Sequence, residues 1–431
     1  MTSTALLTDR YELTMVDAAL ADGTAGRSSV FEVFARRLPG GRRYGVVAGQ
    51  GRLLDAIDRF RFGDAELAWL AAEGVVRPAT VDWLADYRFA GDVTGYREGE
   101  LYFPSSPVLT VEGGFAEAVV LETLILSVLN ADSAVATAAA RMVSAAGDRP
   151  LSEMGGRRTH ERAAVSAARA AWIAGFAATS NLEAGRRWGV PTMGTAAHAF
   201  TLLHDSEEAA FAAQIEAFGP GTTLLVDTYD VTAAVDTAVR LAGPALGAVR
   251  IDSGDLPTTV SAVRRQLDAL GATGTRITVT NDLDEYAIAG LAASPVDSYG
   301  AGTRLVGGSG HPTAGFVYKL VERADEDGAM RPVAKRSVQK AGSGGRKWAF
   351  RVLEGGVATL ERVVVSDDEP RLPGARPLTV PLMTAGQADH AFVGVAGVRA
   401  AREHHAAVVR ELAPEGTRLS PGDPAIATDL G

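Results

Sequence analysis

Short apolar runs alternate with helical patterns over residues 150–321. Alternation of this kind predicts parallel strands joined by helical crossovers. Asp255 and Asp282 each precede a helical pattern, so both are predicted as helix N-caps. The predicted strands are 173–178, 190–194, 222–226, 248–251, 276–279, 296–299 and 316–320. The predicted helices are 206–218, 231–242, 257–270 and 282–293.

The flanking parts of the chain have a different pattern, with alternating strands, turns and a few helices. On the N-terminal side we expect a helix at 11–21, a strand at 29–35, strands with turns at 89–111, and buried helices at 115–146. On the C-terminal side we expect strands at 332–336, 347–353 and 357–365, a Gly-rich turn at 341–345, a helix at 398–412, and a tail without regular structure. Both flanks are therefore of the α+β type.

Composition excludes several classes of protein. The 431 residues are 47% hydrophobic and 22% charged, as in an average soluble domain, and the net charge of −10 opposes a nucleic-acid or anionic-membrane partner. There is no cysteine, which excludes disulfides, thiolate nucleophiles and iron–sulfur clusters. Without a signal-like N-terminus or a long apolar run, we expect a soluble, cytoplasmic protein.

Polar residues cluster directly after the predicted strands. In a parallel α/β barrel these strand ends meet at one rim, where active sites lie. One of them contains His198 within the apolar stretch "MGTAAHAF", which by itself is typical of a packed core histidine. Its place at a strand end makes it a candidate for chemistry instead. The predicted strand ends are residues 179–181, 195–198, 227–230, 252–255, 280–282 and 300–303.

Carboxylates and glycines at these ends indicate a phosphate and metal site. Asp227 and Asp252 offer the hard oxygen ligands that Mg²⁺ prefers, and the alternative for nearby Asp230 and Asp255 is a helix cap. The 300–303 stretch, Gly-Ala-Gly-Thr, follows a late strand, where barrels commonly bind phosphate through backbone N–H groups. Arg157 and Arg158 suit phosphate or carboxylate, although solvated arginines are the alternative reading. No P-loop or dinucleotide fingerprint is present.

Eight stretches, in order along nearly the whole chain, resemble nicotinate phosphoribosyltransferases. Each is modest evidence, but the ordered set is highly specific. They are "TDRYELTM" at 8–15, "EMGGRRTH" at 153–160, "ATSNLEAG" at 178–185, "GVPTMGTAAHAF" at 189–200, "VDTYD" at 226–230, "RIDSGDL" at 250–256, "TNDLDEY" at 280–286, and "YGAGTRLV" with "YKLV" at 299–306 and 318–321.

The resemblance implies an α/β fold: an irregular α/β barrel, as in type II phosphoribosyltransferases, with an additional α+β domain built from both chain ends. The corresponding ranges are 1–125, 126–330 for the barrel, and 331–431 packing with the first. It also implies a homodimer with shared active sites. The implied reaction joins nicotinate to phosphoribosyl pyrophosphate, giving nicotinate mononucleotide and pyrophosphate, with Mg²⁺ as cofactor and ATP as co-substrate.

By resemblance, His198 is transiently phosphorylated by ATP, and Asp252 handles the ribose hydroxyls or the metal. Neutral imidazole is a competent nucleophile near pH 7, which suits that role. Asp227 and Asp252 are the expected metal ligands, and Tyr11 is expected to reach across the dimer and stack on the pyridine ring. The candidate substrate-binding residues are Tyr11, Arg157, Thr179, Ser180, Asn181, Arg250, Ser253, Gly254, Gly300, Gly302 and Thr303.

Two positions depart from the family pattern. Ala199 follows the histidine where the family usually has serine, and Met154 stands where an aromatic residue is often found. Both departures concern the fine geometry of the site rather than the class of enzyme.

The nearest alternative is a nicotinamide phosphoribosyltransferase. Those relatives carry an aspartate at the position of Asn181, which would repel a carboxylate substrate, so Asn181 favours nicotinate. A quinolinate-using enzyme would not need His198 and would need more cations. A non-catalytic sugar-phosphate-binding regulator has no use for the acidic cluster with a histidine. A barrel isomerase or aldolase would rely on a strand-end lysine, which these strand ends lack.

Overall fold

A computed structural model describes residues 3–335 and 343–431. The chain divides into two compact units, one formed by Met1–Thr137 with His311–Gly431 and the other by Ala138–Gly310. The sequence placed the corresponding divisions at residues 125 and 330. Residues 341 and 342 of the predicted Gly-rich turn at 341–345, and residue 336 of the predicted strand at 332–336, lie outside the described residues.

The secondary-structure elements are numbered here in chain order. The α-helices are α1 Arg10–Asp22, α2 Gln50–Asp58, α3 Asp64–Ala72, α4 Pro78–Ala85, α5 Phe115–Val119, α6 Glu122–Ala146, α7 Glu161–Ile173, α8 Leu182–Trp188, α9 His198–Leu203, α10 Glu207–Phe218, α11 Val231–Ala242, α12 Leu256–Ala269, α13 Glu285–Gly290, α14 Thr303–Val306 and α15 Gly394–Val408. The strands are β1 Ser28–Ala35, β2 Gly45–Val46, β3 Asp92–Tyr96, β4 Leu101–Tyr102, β5 Leu109–Gly114, β6 Leu151–Glu153, β7 Ala178–Thr179, β8 Thr223–Leu225, β9 Ala248–Ile251, β10 Arg276–Val279, β11 Ser298–Ala301, β12 Phe316–Ala324, β13 Met330–Pro332, β14 Lys347–Glu354, β15 Val357–Val365, β16 Ala375–Pro377, β17 Thr379–Thr384, β18 Gln387–Ala388 and β19 Ala427–Leu430.

The first unit is built on a seven-stranded antiparallel sheet in the order β13-β12-β1-β5-β3-β17-β18. In its centre Phe31 pairs with Leu320 on one side and Val111 on the other, so apolar side chains line one core. A four-stranded sheet, β16-β14-β15-β19, belongs to the same unit. Both chain ends therefore contribute to one α+β unit.

The second unit contains a six-stranded sheet in the order β7-β6-β11-β10-β9-β8. Every pair in it is parallel, as the alternation of apolar runs and helical patterns predicted. One isolated parallel bridge, between Thr179 and Thr192, continues the pairing beyond β7. The mixed α/β class is confirmed, whereas closure of the strands into a barrel stays a prediction.

Elements with strong periodicity lie where the sequence placed them. Strands β9 and β10 and helix α11 have the predicted bounds, and α10 begins at Glu207, one residue after the predicted start, with Ser206 as its N-cap. The Asp255 side chain accepts a hydrogen bond from the Thr258 N–H and the Asp230 side chain accepts one from the Ala233 N–H. The helix-cap interpretation of these two aspartates is confirmed.

Several predicted elements were wrong. Of residues 173–178, Ile173 ends α7 and only Ala178 lies in a strand, because the chain turns between them at Gly175, whose φ is 112°. The 190–194 segment forms only the bridge at Thr192. The 316–320 strand is real but pairs antiparallel with β1 in the first unit. Strand β6, which the sequence pattern did not predict, lies in the parallel sheet between β7 and β11.

Two further corrections concern element ends. Asp284, not Asp282, caps α13, because its carboxylate accepts from the Tyr286 and Ala287 N–H groups. Asn281 has φ 124°, which delays the start of the helix. The C-terminal tail contains β19, which pairs in parallel with β15.

One segment, Phe115–Ala146, is long and apolar enough to cross a membrane, with a mean hydropathy of 1.6. Of its most apolar window, 67% is buried within the protein. Burial of this kind is typical of a core helix, and α6 fits that description.

Candidate active site

The candidate residues of the second unit meet at one edge of the parallel sheet. Asp252 follows β9, residues 280–282 follow β10, Gly302 follows β11, and Asp227 lies two residues beyond β8. Because all six strands are parallel, their carboxyl ends lie on the same side. This edge is therefore where strand-end side chains can act on one ligand.

His198 and Asp227 form a pair at this edge. The His198 Nε2 lies 3.1 Å from the Asp227 Oδ1, and the histidine side chain is 40% exposed whereas the aspartate is 2% exposed. The second oxygen of Asp227 accepts from the Asp252 backbone N–H at 2.9 Å and from the Ser253 hydroxyl at 2.6 Å. A buried carboxylate thus orients the exposed imidazole and holds the 252–253 turn.

Arg250 organises the neighbouring strands. Its guanidinium donates to the Thr280 hydroxyl at 3.0 Å and the Thr195 hydroxyl at 3.0 Å, and Nη2 lies 3.4 Å from the Asp252 Oδ1. The Thr280 hydroxyl also donates to Asp252 Oδ1. Within residues 3–335 and 343–431, these contacts leave Oδ2 of Asp252 without a hydrogen-bond partner, and the side chain is 27% exposed.

A small cavity of about 130 Å³ opens between these strand ends. Three arginines and two aspartates contribute to its wall, so it is suited to an anion with a bound cation. The lining residues are Met154, Arg157, Arg158, Arg250, Asp252, Thr280, Asn281, Asp282, Gly300, Gly302 and Thr303.

Gly300 and Gly302 are required by close packing in this wall. A Cβ on Gly300 would lie 2.7 Å from the Met154 sulfur and 2.7 Å from the Thr280 methyl group, and one on Gly302 would lie 3.2 Å from the Met154 carbonyl oxygen. Their backbone therefore approaches the cavity with no side chain between. Met154, the departure from the family pattern, fills the space beside them.

The 179–181 segment lies beside the Arg157 turn. Asn181 caps α8, since its Oδ1 accepts from the Ala184 N–H at 3.0 Å. A Cβ on Gly156 would lie 3.8 Å from Asn181 Nδ2, which places the amide nitrogen on the side of the arginine turn. The cap fixes the amide so that its donor end is the one left for a ligand.

The comparisons with known proteins agree with this site. Residues 6–130 match the family described as the nicotinate phosphoribosyltransferase (NAPRTase) N-terminal domain. A nicotinate phosphoribosyltransferase of Mycobacterium tuberculosis is 59% identical over 98% of this chain and 94% of its own. The chain belongs to the nicotinate phosphoribosyltransferase family.

Solved structures show the same relationship. The crystal structure of human nicotinic acid phosphoribosyltransferase is similar with a TM-score of 0.84 and 27% identity, covering 98% of this chain and 97% of that one. A nicotinate-nucleotide pyrophosphorylase from Pyrococcus furiosus is similar with a TM-score of 0.78 and 25% identity, covering 95% of each chain. The resemblance to nicotinate phosphoribosyltransferases drawn from sequence motifs is thereby confirmed.

Within this family framework, the structure brings together His198, Asp227, Arg250, Asp252 and Ser253 by direct contacts. Predicted binding residues Arg157, Gly300, Gly302 and Thr303 line the cavity, while Gly254, at φ 84°, completes the 252–255 turn. Thr179 is buried, and Ser180 is exposed beside it. Their roles toward substrates stay predictions.

Tyr11 lies in the first unit, on α1, and its side chain is exposed. Partial burial and the nearby Glu122 carboxylate raise the pKa of Tyr11. The phenol therefore stays neutral at physiological pH, as a stacking ring requires. Its predicted place against the pyridine ring of a second copy stays a prediction.

Sequence reasoning did not select four residues of this edge. Thr195 and Thr280 lie at the predicted strand ends, but a threonine in a sequence does not reveal which carboxylate or guanidinium its hydroxyl contacts. Asp282 lines the cavity although it was read as a helix cap. Glu153, the last residue of β6, was overlooked because its strand was not predicted.

Proposed function

We propose that this chain transfers a phosphoribosyl group from phosphoribosyl pyrophosphate to nicotinate for NAD salvage. The products are nicotinate mononucleotide and pyrophosphate. The observation that carries the proposal is the cavity of three arginines and Asp252 beside the His198–Asp227 pair, at the strand ends of a family member. The named relatives support the identity of the substrates, and the arginines and Asp252 of the cavity match the charges of those substrates.

In the transfer, the bond between ribose C1′ and the pyrophosphate oxygen breaks, and its electron pair leaves with pyrophosphate. The pyridine nitrogen of nicotinate donates its lone pair to C1′. Positive charge develops on the sugar, and negative charge grows on the leaving group. Arg250 is assigned to the pyrophosphate or phosphate oxygens, Arg157 to the carboxylate of nicotinate and Asp252 to the ribose hydroxyls, because fixed charges aimed at developing charge are the effective form of stabilisation.

The donor set fits Mg²⁺ bound together with substrate. Among residues 3–335 and 343–431, no three His, Asp or Glu side chains converge as a metal cage. Mg²⁺ does not need one, since it typically uses one or two carboxylates with water and substrate phosphates. Asp252 has an available oxygen, whereas both Asp227 oxygens are engaged, so we assign the metal to Asp252 first. Bound there, the ion would neutralise charge on the departing pyrophosphate.

The His198–Asp227 contact supports a phosphohistidine role. A carboxylate accepts, so the Nε2 of His198 carries the proton and Nδ1 keeps its lone pair. We propose that Nδ1 attacks the γ-phosphorus of ATP while the bond to the ADP oxygen breaks, and that Asp227 stabilises the imidazolium. Asp227 also holds the Asp252 N–H and the Ser253 hydroxyl, so a change in charge at His198 acts directly on the sugar and metal turn.

Asn181 supports nicotinate over nicotinamide. Its Oδ1 is used by the α8 cap, which leaves the NH₂ group as a donor toward the base. A donor suits the carboxylate of nicotinate and does not suit the amide NH₂ of nicotinamide. The neighbouring Arg157 adds a positive charge of the right sign.

The resemblance also supports a cytoplasmic homodimer in which Tyr11 serves the site of the second copy. Sedimentation of the purified chain tests the dimer, and mixing Tyr11→Ala with His198→Ala tests the sharing. Mixed dimers that regain part of the ATP-stimulated rate would support shared sites, and no recovery would oppose them.

The ATP step is tested by turnover with and without ATP for the wild type, His198→Ala and His204→Ala. His204 is a matched control because it lies six residues away, and its ring contacts the Phe200 carbonyl rather than a carboxylate. We expect ATP to stimulate the wild type and His204→Ala with release of ADP, and not His198→Ala. Stimulation that survives in His198→Ala would overturn the phosphohistidine while leaving the transfer itself intact.

A further inference from the structure

Glu153 is a carboxylate buried beside the candidate site without a cation. It is the last residue of β6, between β7 and β11, and is 0% exposed. In the described part of the chain, residues 3–335 and 343–431, it forms no ion pair. Burial raises the pKa of Glu153, and two hydrogen bonds to its carboxylate counteract that rise. A buried carboxylate held only by neutral donors is costly, so its contacts need an explanation.

Both donors belong to segments assigned to the base. The Gly155 N–H donates to Oε1 at 2.5 Å, and Gly155 begins the turn that carries Arg157. The Thr179 hydroxyl donates to Oε2 at 2.5 Å, and Thr179 Oγ1 in turn accepts from the Asn181 N–H at 2.9 Å. Each carboxylate oxygen therefore holds a different wall of the same subsite.

The backbone of Glu153 adds a third link. Its carbonyl oxygen accepts from the Ser180 N–H at 2.8 Å. The turn also packs tightly on the carboxylate, because a Cβ on Gly155 would lie 3.0 Å from Oε1 and 2.3 Å from a Val306 methyl group. Neither segment can shift without changing its contact with Glu153.

We infer that Glu153 is a positioning residue that sets the spacing between the Arg157 turn and Asn181, and thereby the fit of the pyridine carboxylate. The inference rests on the proposed function. Glutamine is close in shape but offers one acceptor oxygen, so its NH₂ group would face one of the two donors. The ribose and pyrophosphate residues Arg250, Asp252 and Thr280 have their own mutual contacts and should be little affected.

The test uses Glu153→Gln, Thr179→Val and Thr179→Ser, with separate KM values for nicotinate and phosphoribosyl pyrophosphate. We expect Glu153→Gln and Thr179→Val to raise the KM for nicotinate about tenfold, because each loses a hydrogen bond to a charged group. The KM for phosphoribosyl pyrophosphate should stay within about twofold and kcat within about threefold. Thr179→Ser keeps the hydroxyl and should restore near-normal values.

Two further variants separate positioning from simple destabilisation. Thr275→Val removes another buried hydroxyl of the same unit, which donates to the Leu246 carbonyl at the opposite end of the sheet. It should lower the melting temperature and leave both KM values unchanged. The double variant Glu153→Gln/Thr179→Val should raise the KM for nicotinate by less than the product of the two single effects, because the two side chains contact each other.

Wild-type turnover of nicotinate is measured first. If the wild type forms no nicotinate mononucleotide, the proposed function and this inference fail together. If it does, and Glu153→Gln and Thr179→Val lower the melting temperature without changing the KM for nicotinate, the inference alone is overturned. Should Glu153→Gln not fold, the contrast between Thr179→Val and Thr179→Ser decides the outcome.

Discussion

Two clusters of charged side chains in this molecule differ in how far they are buried from solvent. In the first unit, Arg351 pairs with Glu361 at 2.9 Å, and both side chains are 0% exposed. In the second unit, His198 is 40% exposed above Asp227, and Asp252 is 27% exposed beside Arg250. The first cluster pairs its charges inside the protein, whereas the second leaves His198 and Asp252 partly open to solvent.

The closed cluster extends to Glu100, which accepts from Arg376 at 2.7 Å and from His404 at 2.9 Å. Burial alone would raise the pKa of Glu100, but hydrogen bonds from His404 and Arg376 hold it well below its usual range. A group held so firmly in one protonation state is suited to structure. A ligand site needs the arrangement of the second cluster, in which contacts with the protein hold each side chain in place while part of it stays exposed to the ligand.

The largest expected effect is at the open cluster. Asp252→Ala should reduce kcat/KM by about a thousandfold or more, since a charge at the reacting sugar is lost. Steady-state kinetics with saturating nicotinate measures it. Asp255→Ala is the matched control, because that neighbouring aspartate only caps α12 and should cost about 1 kcal/mol of stability with little change in activity. Equal losses for the two variants would contradict the assignment.

The closed cluster should respond in stability instead. Arg351→Met leaves Glu361 buried without its cation, and the free energy of unfolding should fall by about 3–5 kcal/mol. Denaturant unfolding measures the change. In Arg362→Met, a more exposed pair between β15 and β19, Arg362 with Asp429, is lost and the cost should stay below about 1 kcal/mol. Similar losses in the free energy of unfolding for the two variants would mean that burial of the Arg351–Glu361 pair has no energetic consequence.

A specificity change of intermediate size is expected at Asn181. Asn181→Asp keeps a good N-cap for α8 but places a negative charge beside the substrate carboxylate. The ratio of kcat/KM for nicotinate to that for nicotinamide should fall about 10- to 100-fold. Asn181→Ser, which retains a capping oxygen without charge, should change the ratio much less. An unchanged ratio in Asn181→Asp would show that Asn181 does not contribute to the choice between nicotinate and nicotinamide.

The smallest effect concerns Glu12, a buried carboxylate in the first unit that is held by hydroxyls and an amide rather than a cation. Burial, opposed by hydrogen bonds from Thr123 and Thr8, raises the pKa of Glu12 to about 7. Because the folded state binds this proton more tightly than the unfolded state, the stabilisation is present below the ordinary pKa and is lost as pH rises through about 7.

Glutamine resembles the protonated acid and does not titrate. The free energy of unfolding of Glu12→Gln should therefore fall less between pH 5 and pH 8 than that of the wild type. The difference between the two proteins should be on the order of 2 kcal/mol across this range. Unfolding curves at the two pH values, compared with Glu66→Gln on the exposed start of α3, measure it. Parallel pH profiles for wild type and Glu12→Gln would contradict the shifted protonation.

Regular periodicity made much of the second unit predictable from sequence. Strands β9 and β10 and helix α11 were placed at their bounds because strand runs and amphipathic patterns alternate cleanly there. The strand predicted at 173–178 was wrong, since a short apolar run does not reveal that α7 ends at Ile173 and that the chain turns at Gly175 before β7 begins. The 316–320 strand was recognised, but local pattern does not reveal which sheet a strand joins.

The sequence predicted which residues of the candidate site lie at strand ends, but it did not predict which of their side chains contact each other. His198 and Asp227 are 29 residues apart, and only the folded structure shows that the Asp227 carboxylate contacts the His198 imidazole. The sequence had suggested a metal as its partner. Glu153 was missed for a related reason. A carboxylate that is buried and bound by a hydroxyl and an amide has no sequence pattern of its own.

The most direct test of the account is product formation by the purified chain from phosphoribosyl pyrophosphate and Mg²⁺, with nicotinate or nicotinamide in parallel. We expect nicotinate mononucleotide and pyrophosphate in equal amounts, with kcat/KM for nicotinate at least about 100-fold above that for nicotinamide. Formation of no mononucleotide from either base, while phosphoribosyl pyrophosphate still binds, would contradict the account and favour a non-catalytic sugar-phosphate-binding protein.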